Sequence, residues 1–326
     1  MSGIELTPEQ PVEEIVRMAE TAEATGFDAV FTSCHYNNRD PFITLDRIAA
    51  ATETIHLGPG IANPYEIHPV TLASTMATLA EVSDGRAVFG IGPGDASTLE
   101  NLGVDRDRPL RRVLETFKTA QQLWAGERVD RDGTFQAQDA GLNYEVEPIP
   151  VYVGAQGPHM IRMSAKHADG VLVNAAHPDD FAWASEQVET GAADRPAERG
   201  PFDFAAFASV SIAEAKAPAR EAARPPVAFI AAGAPPPVLD RHDIDGDRAE
   251  TIGTHIAAGE FTQAFEAVTE PMLDAFCIAG TPADVADRID GILEYADSIV
   301  AGSPLGPDRT AAIKLLGEAF ARSNRA

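Results

Sequence analysis

Two carboxylates in this chain stand where a proton could be held or moved. Glu5 lies inside the short apolar run Gly3-Ile4-Glu5-Leu6. Burial disfavours a carboxylate anion, so an acid in that setting can stay protonated near neutral pH and act as a general acid. The alternative for such a residue is a structural ion pair with an inward-facing arginine. Asp95 follows Gly92-Pro93-Gly94, three residues that let backbone come close to a ligand. It can orient a substrate amine or ring nitrogen, or it can cap the helix that follows, with Ser97 and Thr98 as rivals for that position. A third group is an anion site. Gly154-Ala155-Gln156-Gly157-Pro158 ends an apolar run and opens a helix, where free N–H groups and the helix dipole favour a phosphate; otherwise it is a plain turn with proline in the first helical position. His35 to Arg39 adds a base, two amides and a guanidinium able to neutralise an anionic tail. No HxH or HExxH spacing occurs around His35, so no metal site is expected. Asp243 to Asp247 has its glycine too early for a calcium loop. Ser303 lacks the elbow of a hydrolase nucleophile.

The elements that must hold these groups follow from periodicity and from proline and glycine punctuation. Strands are expected at 3–6, 28–32, 55–58, 86–91, 150–154, 170–173, 202–212 and 298–301. Helices are expected at 11–25, 41–52, 69–82, 108–125, 158–167, 178–190 and 307–322. About eight strands alternating with helices predict an α/β fold of the (β/α)8 TIM-barrel type, in which the strand C-termini form the site. Glu5, the 33–39 loop, Gly60 to Asn63, Asp95, the Gly154 turn and Asn174 all lie at or near those ends. The glycines of Gly90 to Asp95 do not match GxGxxG, and no P-loop is present. A strand-like excursion is expected over 131–147. A helical insertion between late strands spans about 214–297, broken at Pro235-Pro236-Pro237, within a single domain covering 1–326.

Composition narrows the function classes. The chain has 326 residues and a net charge of −25, with 50 acidic against 25 basic residues. Only Lys118, Lys166, Lys216 and Lys314 are lysines. A dense acidic surface poor in lysine suits a halophilic cytoplasm, where salt screens self-repulsion. Nucleic acid is not an expected partner, because no basic cluster is apparent in the sequence. No apolar run reaches the ~20 residues of a membrane span, and no secretory leader is visible, so a cytoplasmic location is expected. Cys34 and Cys277 form neither a disulfide framework nor a metal motif.

The segments GIEL, HYNNR, LGPGIANPYEIHP, GRAVFGIGPGD, VYVGAQGP, DGVLVNA, PVAFIAAGAP and AGSPLGPD, in that order, resemble the 5,10-methylenetetrahydromethanopterin reductases. These are coenzyme F420-dependent members of the bacterial-luciferase-like barrel superfamily. The resemblance implies hydride transfer between reduced coenzyme F420 and the methylene carbon of a tetrahydropterin one-carbon carrier, tetrahydromethanopterin or tetrahydrofolate. It implies that Glu5 protonates a pterin nitrogen and opens the methylene ring to an iminium. Gly60-Ile61 resembles the family's non-prolyl cis peptide behind the deazaflavin, and Gly154, Ala155, Gln156 and Gly157 its phosphate cradle. His35, Arg39, Asn63, Asp95 and Asn174 are expected near the cofactor or pterin. One position departs from the pattern: Cys34 stands where relatives carry an aspartate. An FMN-dependent luciferase-like monooxygenase and a non-catalytic coenzyme F420-binding protein are the alternatives. Relatives imply a homodimer or homotetramer.

Overall fold

The computed structural model describes residues 1–323, and these fall into two compact units. The first gathers residues 3–173 and 186–205. In chain order it contains β1 (Ser2–Glu5), α1 (Val12–Ala24), β2 (Ala29–Thr32), α2 (Pro41–Ala51), β3 (His56–Pro59), α3 (Pro69–Val82) and β4 (Phe89–Ile91). It continues with α4 (Ala96–Asn101), α5 (Pro109–Trp124), β5 (Val129–Asp132), β6 (Gln136–Ala140), β7 (Val151–Ala155), α6 (Pro158–His167) and β8 (Gly170–Asn174). Strands β1, β2 and β3 pair in parallel, with Glu5 opposite Phe31 and Phe31 opposite Gly58. Parallel bridges at Leu57–Ala87 and Ala62–Ile91 carry the sheet from β3 to β4. Strand β4 then pairs with β7, and β7 with β8. Strands buried on both faces read as continuous apolar runs, which is why they were visible in the sequence. Phe31, Phe89, Phe117, Leu72 and Met76 are fully buried in this unit.

Helix starts are set locally. Proline occupies the first turn of α2, α3, α5 and α6, where a missing N–H costs nothing. Asp40 caps α2 by accepting from the Ile43 N–H at 2.9 Å. Helices α3 and α6 match the expected residues at both ends.

The expected excursion at 131–147 is an antiparallel hairpin, β5–β6, spanning 129–140. Glu115 of α5 clasps its turn: Oε2 accepts from both the Thr134 N–H and Oγ1 at 2.8 Å, and Oε1 accepts from Arg111 at 2.7 Å. A Cβ on Gly133 would sit 2.5 Å from that carboxylate, so glycine makes room for the clasp. Burial alone would raise the Glu115 pKa, but these bonds outweigh it and hold it at about 2. Its folded pKa is depressed, so the clasp contributes fully above the usual glutamate range and is lost as pH falls from there towards about 2. Glu115→Ala is expected to cost about 1–2 kcal/mol. Thermal unfolding should show that difference at pH 7 and its disappearance near pH 2.

The second unit gathers residues 1–2, 174–185 and 206 onward. It takes in the start of α7 (Pro178–Ala192) and most of β9 (Asp203–Ile212). There follow α8 (Lys216–Gly233), α9 (Pro236–Arg241), α10 (Gly246–Ala257), α11 (Phe261–Glu266) and α12 (Glu270–Phe276). The unit ends with β10 (Ile278–Gly280), α13 (Pro282–Ile292), β11 (Ser298–Leu305) and α14 (Arg309–Arg322). The break at Pro235 to Pro237 separates α8 from α9, as expected. Asp245 caps α10, the turn read from Asp243 to Asp247. The insertion has its own core, including Val227, Leu239, Ile252 and Leu273. Two features depart from the sequence reading. A three-residue strand, β10, pairs with the end of β9, and α13 follows it inside the stretch read as insertion. Strand β11 also runs to Leu305, four residues past the expected end at Ala301. No described helix is long and apolar enough to cross a membrane. The eight long-range strands β1, β2, β3, β4, β7, β8, β9 and β11, with helices between them, follow the (β/α)8 order.

Candidate active site

The first unit builds the candidate site from the ends of β1, β2, β3, β4 and β7. Glu5 is the last residue of β1 and is only 4% exposed. Its Oε1 accepts a 2.8 Å hydrogen bond from Thr7 Oγ1, which fixes the carboxyl. At the end of β2, Thr32 and Ser33 are buried, and neither hydroxyl has a hydrogen-bond partner among the described residues. Cys34 follows, half-buried, with Sγ 3.7 Å from the Thr32 carbonyl. Burial first, and then the carboxylates of Asp40, Glu66 and Glu5, raise its pKa, so the thiol stays neutral. Cys34 is therefore no nucleophile, which needs a thiolate.

The loop after β3 forms the floor. The Gly60–Ile61 peptide is cis, as the resemblance implied. The Ile61 side chain lies in a hollow lined by glycines of two neighbouring strands. A Cβ on Gly92 would come within 2.7 Å of it, and one on Gly154 within 3.1 Å. Beneath, Gly58 and Gly90 let β3 and β4 backbones nearly touch: a Cβ would lie 1.9 Å from the Val88 carbonyl oxygen at Gly58 and 2.0 Å from that of Pro59 at Gly90. The spacing of these glycines is thus a packing requirement set by neighbouring strands.

Asn63 is buried and committed to the loop. Its Oδ1 accepts from the Tyr65 and Glu66 N–H groups at 3.1 Å, and its Nδ2 donates to Glu66 Oε2 at 2.7 Å. Arg112 of α5 braces the same loop by donating to the Pro64 carbonyl at 2.8 Å and stacking over Tyr65. Sequence reasoning placed Ser33 at a strand end without giving it a role, and it passed over Thr32, Glu66 and Arg112 as site residues. Only Glu66 had a local signal, since Asn-Pro followed at the third position by a carboxylate is an Asx-turn pattern.

Asp95 settles one of the open alternatives at the structural level. It caps α4: Oδ2 accepts from the Thr98 N–H at 2.7 Å, Ser97 Oγ at 2.6 Å and Thr98 Oγ1 at 2.8 Å. Ser97 and Thr98 donate to the cap instead of competing for it. Burial alone would raise the Asp95 pKa, but these bonds and the nearby His35 imidazole bring it below the ordinary aspartate value. The cap is therefore complete above that range and fades as pH falls through the depressed value. Asp95→Ala should cost about 1 kcal/mol and Asp95→Asn only a few tenths, read as melting temperatures at pH 7.

His35 is exposed and faces Asp95 electrostatically. Arg39 is exposed, and its Nη1 donates to the Glu9 carbonyl at 2.6 Å, which ties the 33–39 loop back to the loop after β1. At the end of β7, Ala155 is buried while Gln156 and Gly157 are exposed. No side chain caps α6, and a Cβ on Gly157 would meet nothing within 4 Å. The N-terminus of α6 therefore has no side-chain cap among the described residues and has room beside Gly157, as an anion cradle requires. Asn174 is exposed at the end of β8.

An α/β barrel with a glycine floor and a buried acid at the end of its first strand defines a cofactor-dependent enzyme of the luciferase-like type. The family model described as luciferase-like monooxygenase matches residues 2–300. A 5,10-methylenetetrahydromethanopterin reductase of Archaeoglobus fulgidus is 42% identical over 322 residues, 97% of each chain. One from Methanolobus tindarius is 42% identical over 319 residues, 97% of this chain and 98% of that one. The solved coenzyme F420-dependent tetrahydromethanopterin reductase of Methanopyrus kandleri superimposes with a TM-score of 0.91 at 38% identity, covering 97% of both chains. The chain belongs to the luciferase-like family and, within it, to the 5,10-methylenetetrahydromethanopterin reductases.

Proposed function

We propose that this protein is a coenzyme F420-dependent oxidoreductase that reduces 5,10-methylenetetrahydromethanopterin to the 5-methyl pterin. The observation that carries this reading is identity of 38–42% along 97% of the chain with three reductases of that name. The residues present suit a flat, anionic cofactor. The Ile61 hollow offers an apolar floor bounded by Gly92 and Gly154, Thr32 and Ser33 carry unsatisfied buried hydroxyls, and the α6 N-terminus is open beside Gly157. Gly60, Ile61, Gly154, Ala155, Gln156 and Gly157 would hold it, with His35, Arg39 and Asn63 around it. When bound, the cofactor supplies a hydride.

Reducing a methylene bridge to a methyl group takes up one hydride and one proton and breaks one carbon–nitrogen bond. Glu5 is the proton donor in this reading: it is buried, fixed by Thr7, and ends β1. Protonating the bridged nitrogen outside the pterin ring weakens its bond to the bridging carbon and leaves an electrophilic iminium on the ring nitrogen, which keeps the carbon as the methyl group. Asp95 has its Oδ2 committed to the α4 cap, and Oδ1 is left to orient the pterin. Asp95→Asn should keep the cap and lower turnover about 10-fold. Neutral Cys34 provides a site wall without charge. The net charge of −25 supports activity in a salt-rich cytoplasm.

Stopped-flow absorbance of reduced coenzyme F420, mixed with enzyme and methylene-pterin in molar salt, tests the reading. Rapid loss with methylenetetrahydromethanopterin is expected. Loss only with methylenetetrahydrofolate would reassign the carrier. No loss with either, together with oxygen uptake by FMN-loaded protein, would overturn the proposal in favour of a monooxygenase.

A further inference from the structure

The structure gathers positive charge at one place on a strongly acidic chain. Two of the four lysines, Lys118 and Lys166, stand with His167, Arg195 and Arg199 in the first unit. Lys118 projects from α5, His167 ends α6, and Arg199 belongs to a single 3₁₀ turn at Ala197–Arg199. They surround the start of β8, next to Asp169, and so lie at the opposite end of β7 and β8 from the Gly154 turn and Asn174. Five residues of strand separate the two places by roughly 16 Å.

Two of these cations are already spent. The Arg195 guanidinium donates to carbonyls, with Nη1 on Ala165 and Ala168 at 2.9 and 2.7 Å and Nε on Gly200 at 3.1 Å. Arg195 therefore satisfies the C-terminal end of α6, the ordinary task of a cation there. Lys166 pairs with Asp194 at 3.2 Å. Asp169 is also committed, its Oδ2 accepting from the Val151 N–H at 2.9 Å.

Lys118, His167 and Arg199 are left. All three are half-buried. Among the described residues, Lys118 has no hydrogen-bond partner and no carboxylate within salt-bridge distance. Neither does His167. Arg199 uses one Nη2 bond, to Gln121 Oε1 at 3.1 Å, one turn along α5 from Lys118. A guanidinium has five donors, so most of Arg199 is left open to solvent. Asp169 supplies one negative charge against Lys118 and Arg199, which leaves the place with net positive charge, and like charges held close together favour a counter-ion.

We propose that Lys118, His167 and Arg199 form a binding site for a small oxyanion of the phosphate or sulfate class, separate from the candidate active site. The donor set fits such a ligand: a planar fork from Arg199, a point charge from Lys118 and an imidazole N–H from His167. The local field agrees. Burial first, then Arg199, lowers the Lys118 pKa, with Asp169 opposing. Burial, then Lys118, Lys166, Arg199 and Arg195, lowers that of His167. A bound anion opposes the repulsion among these groups.

The probe is inorganic phosphate, exchanged for chloride at constant ionic strength so that screening of the −25 charge is unchanged. In the wild-type protein, phosphate should shift the His167 imidazole resonances and raise its titration midpoint by at least half a pH unit. It should also raise the melting temperature by a few degrees. Lys118→Gln and Arg199→Gln should each remove the His167 response and reduce the added stability. Neither residue belongs to the candidate active site, so turnover should be unchanged in both variants. Phosphate held by the α6 N-terminus would instead stabilise wild type and variants equally and leave His167 unmoved. That result, or an unmoved His167 in the wild-type protein alone, overturns the proposal.

Discussion

Replacing Glu5 by Gln should leave coenzyme F420 binding intact and lower turnover about 100-fold or more, the range lost when a positioned acid is removed. Gln keeps the shape and can still accept from Thr7 Oγ1, so the 2.8 Å bond that fixes this side chain survives. What the amide cannot do is release a proton to a pterin nitrogen. The measurement is a pair: fluorescence titration of the cofactor for binding, and single-turnover loss of reduced-cofactor absorbance for the chemical step. Unchanged affinity with a collapsed rate is expected. A rate near wild type would remove Glu5 from the reaction. A loss of both binding and melting temperature would mark it as a structural residue, the alternative open to any buried carboxylate.

Gly90→Ala should be, with Gly58→Ala, among the most damaging single-methyl changes in the first unit. The added carbon would lie 2.0 Å from the Pro59 carbonyl oxygen and 3.2 Å from its carbon, both backbone atoms of β3. No side chain can rotate to relieve that contact, so β3 and β4 must separate. Their separation would break the Ala62 N–H to Gly90 carbonyl bond at 3.0 Å and lift Ile61 out of its hollow. The expected cost exceeds about 3 kcal/mol, near the upper end of overpacking effects. The melting temperature should fall by roughly 10 °C or more, at 2–4 °C per kcal/mol for a protein of similar size. Gly157→Ala is the control. Its methyl meets nothing within 4 Å, and its φ of −100° suits any residue. It should be neutral in stability. If Gly157 lines the phosphate cradle, the same change should weaken cofactor binding without moving the melting curve. A Gly90→Ala protein with wild-type melting would show that β3 and β4 are not held as closely as described.

The alternation of apolar strands with helices is legible from the sequence because its causes are local. Proline at Pro69 and Pro158 sets the first turns of α3 and α6, and both helices begin and end at the residues expected. Apolar runs mark β2, β7 and β8 because parallel strands are buried on both faces. Strand β10 has three residues, and only its pairing with β9 makes it a strand. The β5–β6 hairpin is largely polar on both faces, so no period identifies its register.

The candidate site divides in the same way. Glu5, Asp95 and the Gly154 turn could be singled out because each follows an apolar strand, and strand ends carry ligand-facing groups in this architecture. The sequence by itself therefore determined the order of elements, the acidic and glycine-rich strand ends, and the reductase family they resemble. Only the tertiary structure decided that Asp95 caps α4, that Asn63 binds its own loop, and that Ile61 fills the hollow between Gly92 and Gly154. It alone decided that Lys118 meets Arg199, 81 positions away in a chain with few lysines. Periodicity and capping act over a few residues and can be read in one dimension. Contacts between distant residues are chosen by packing, which has no local signature.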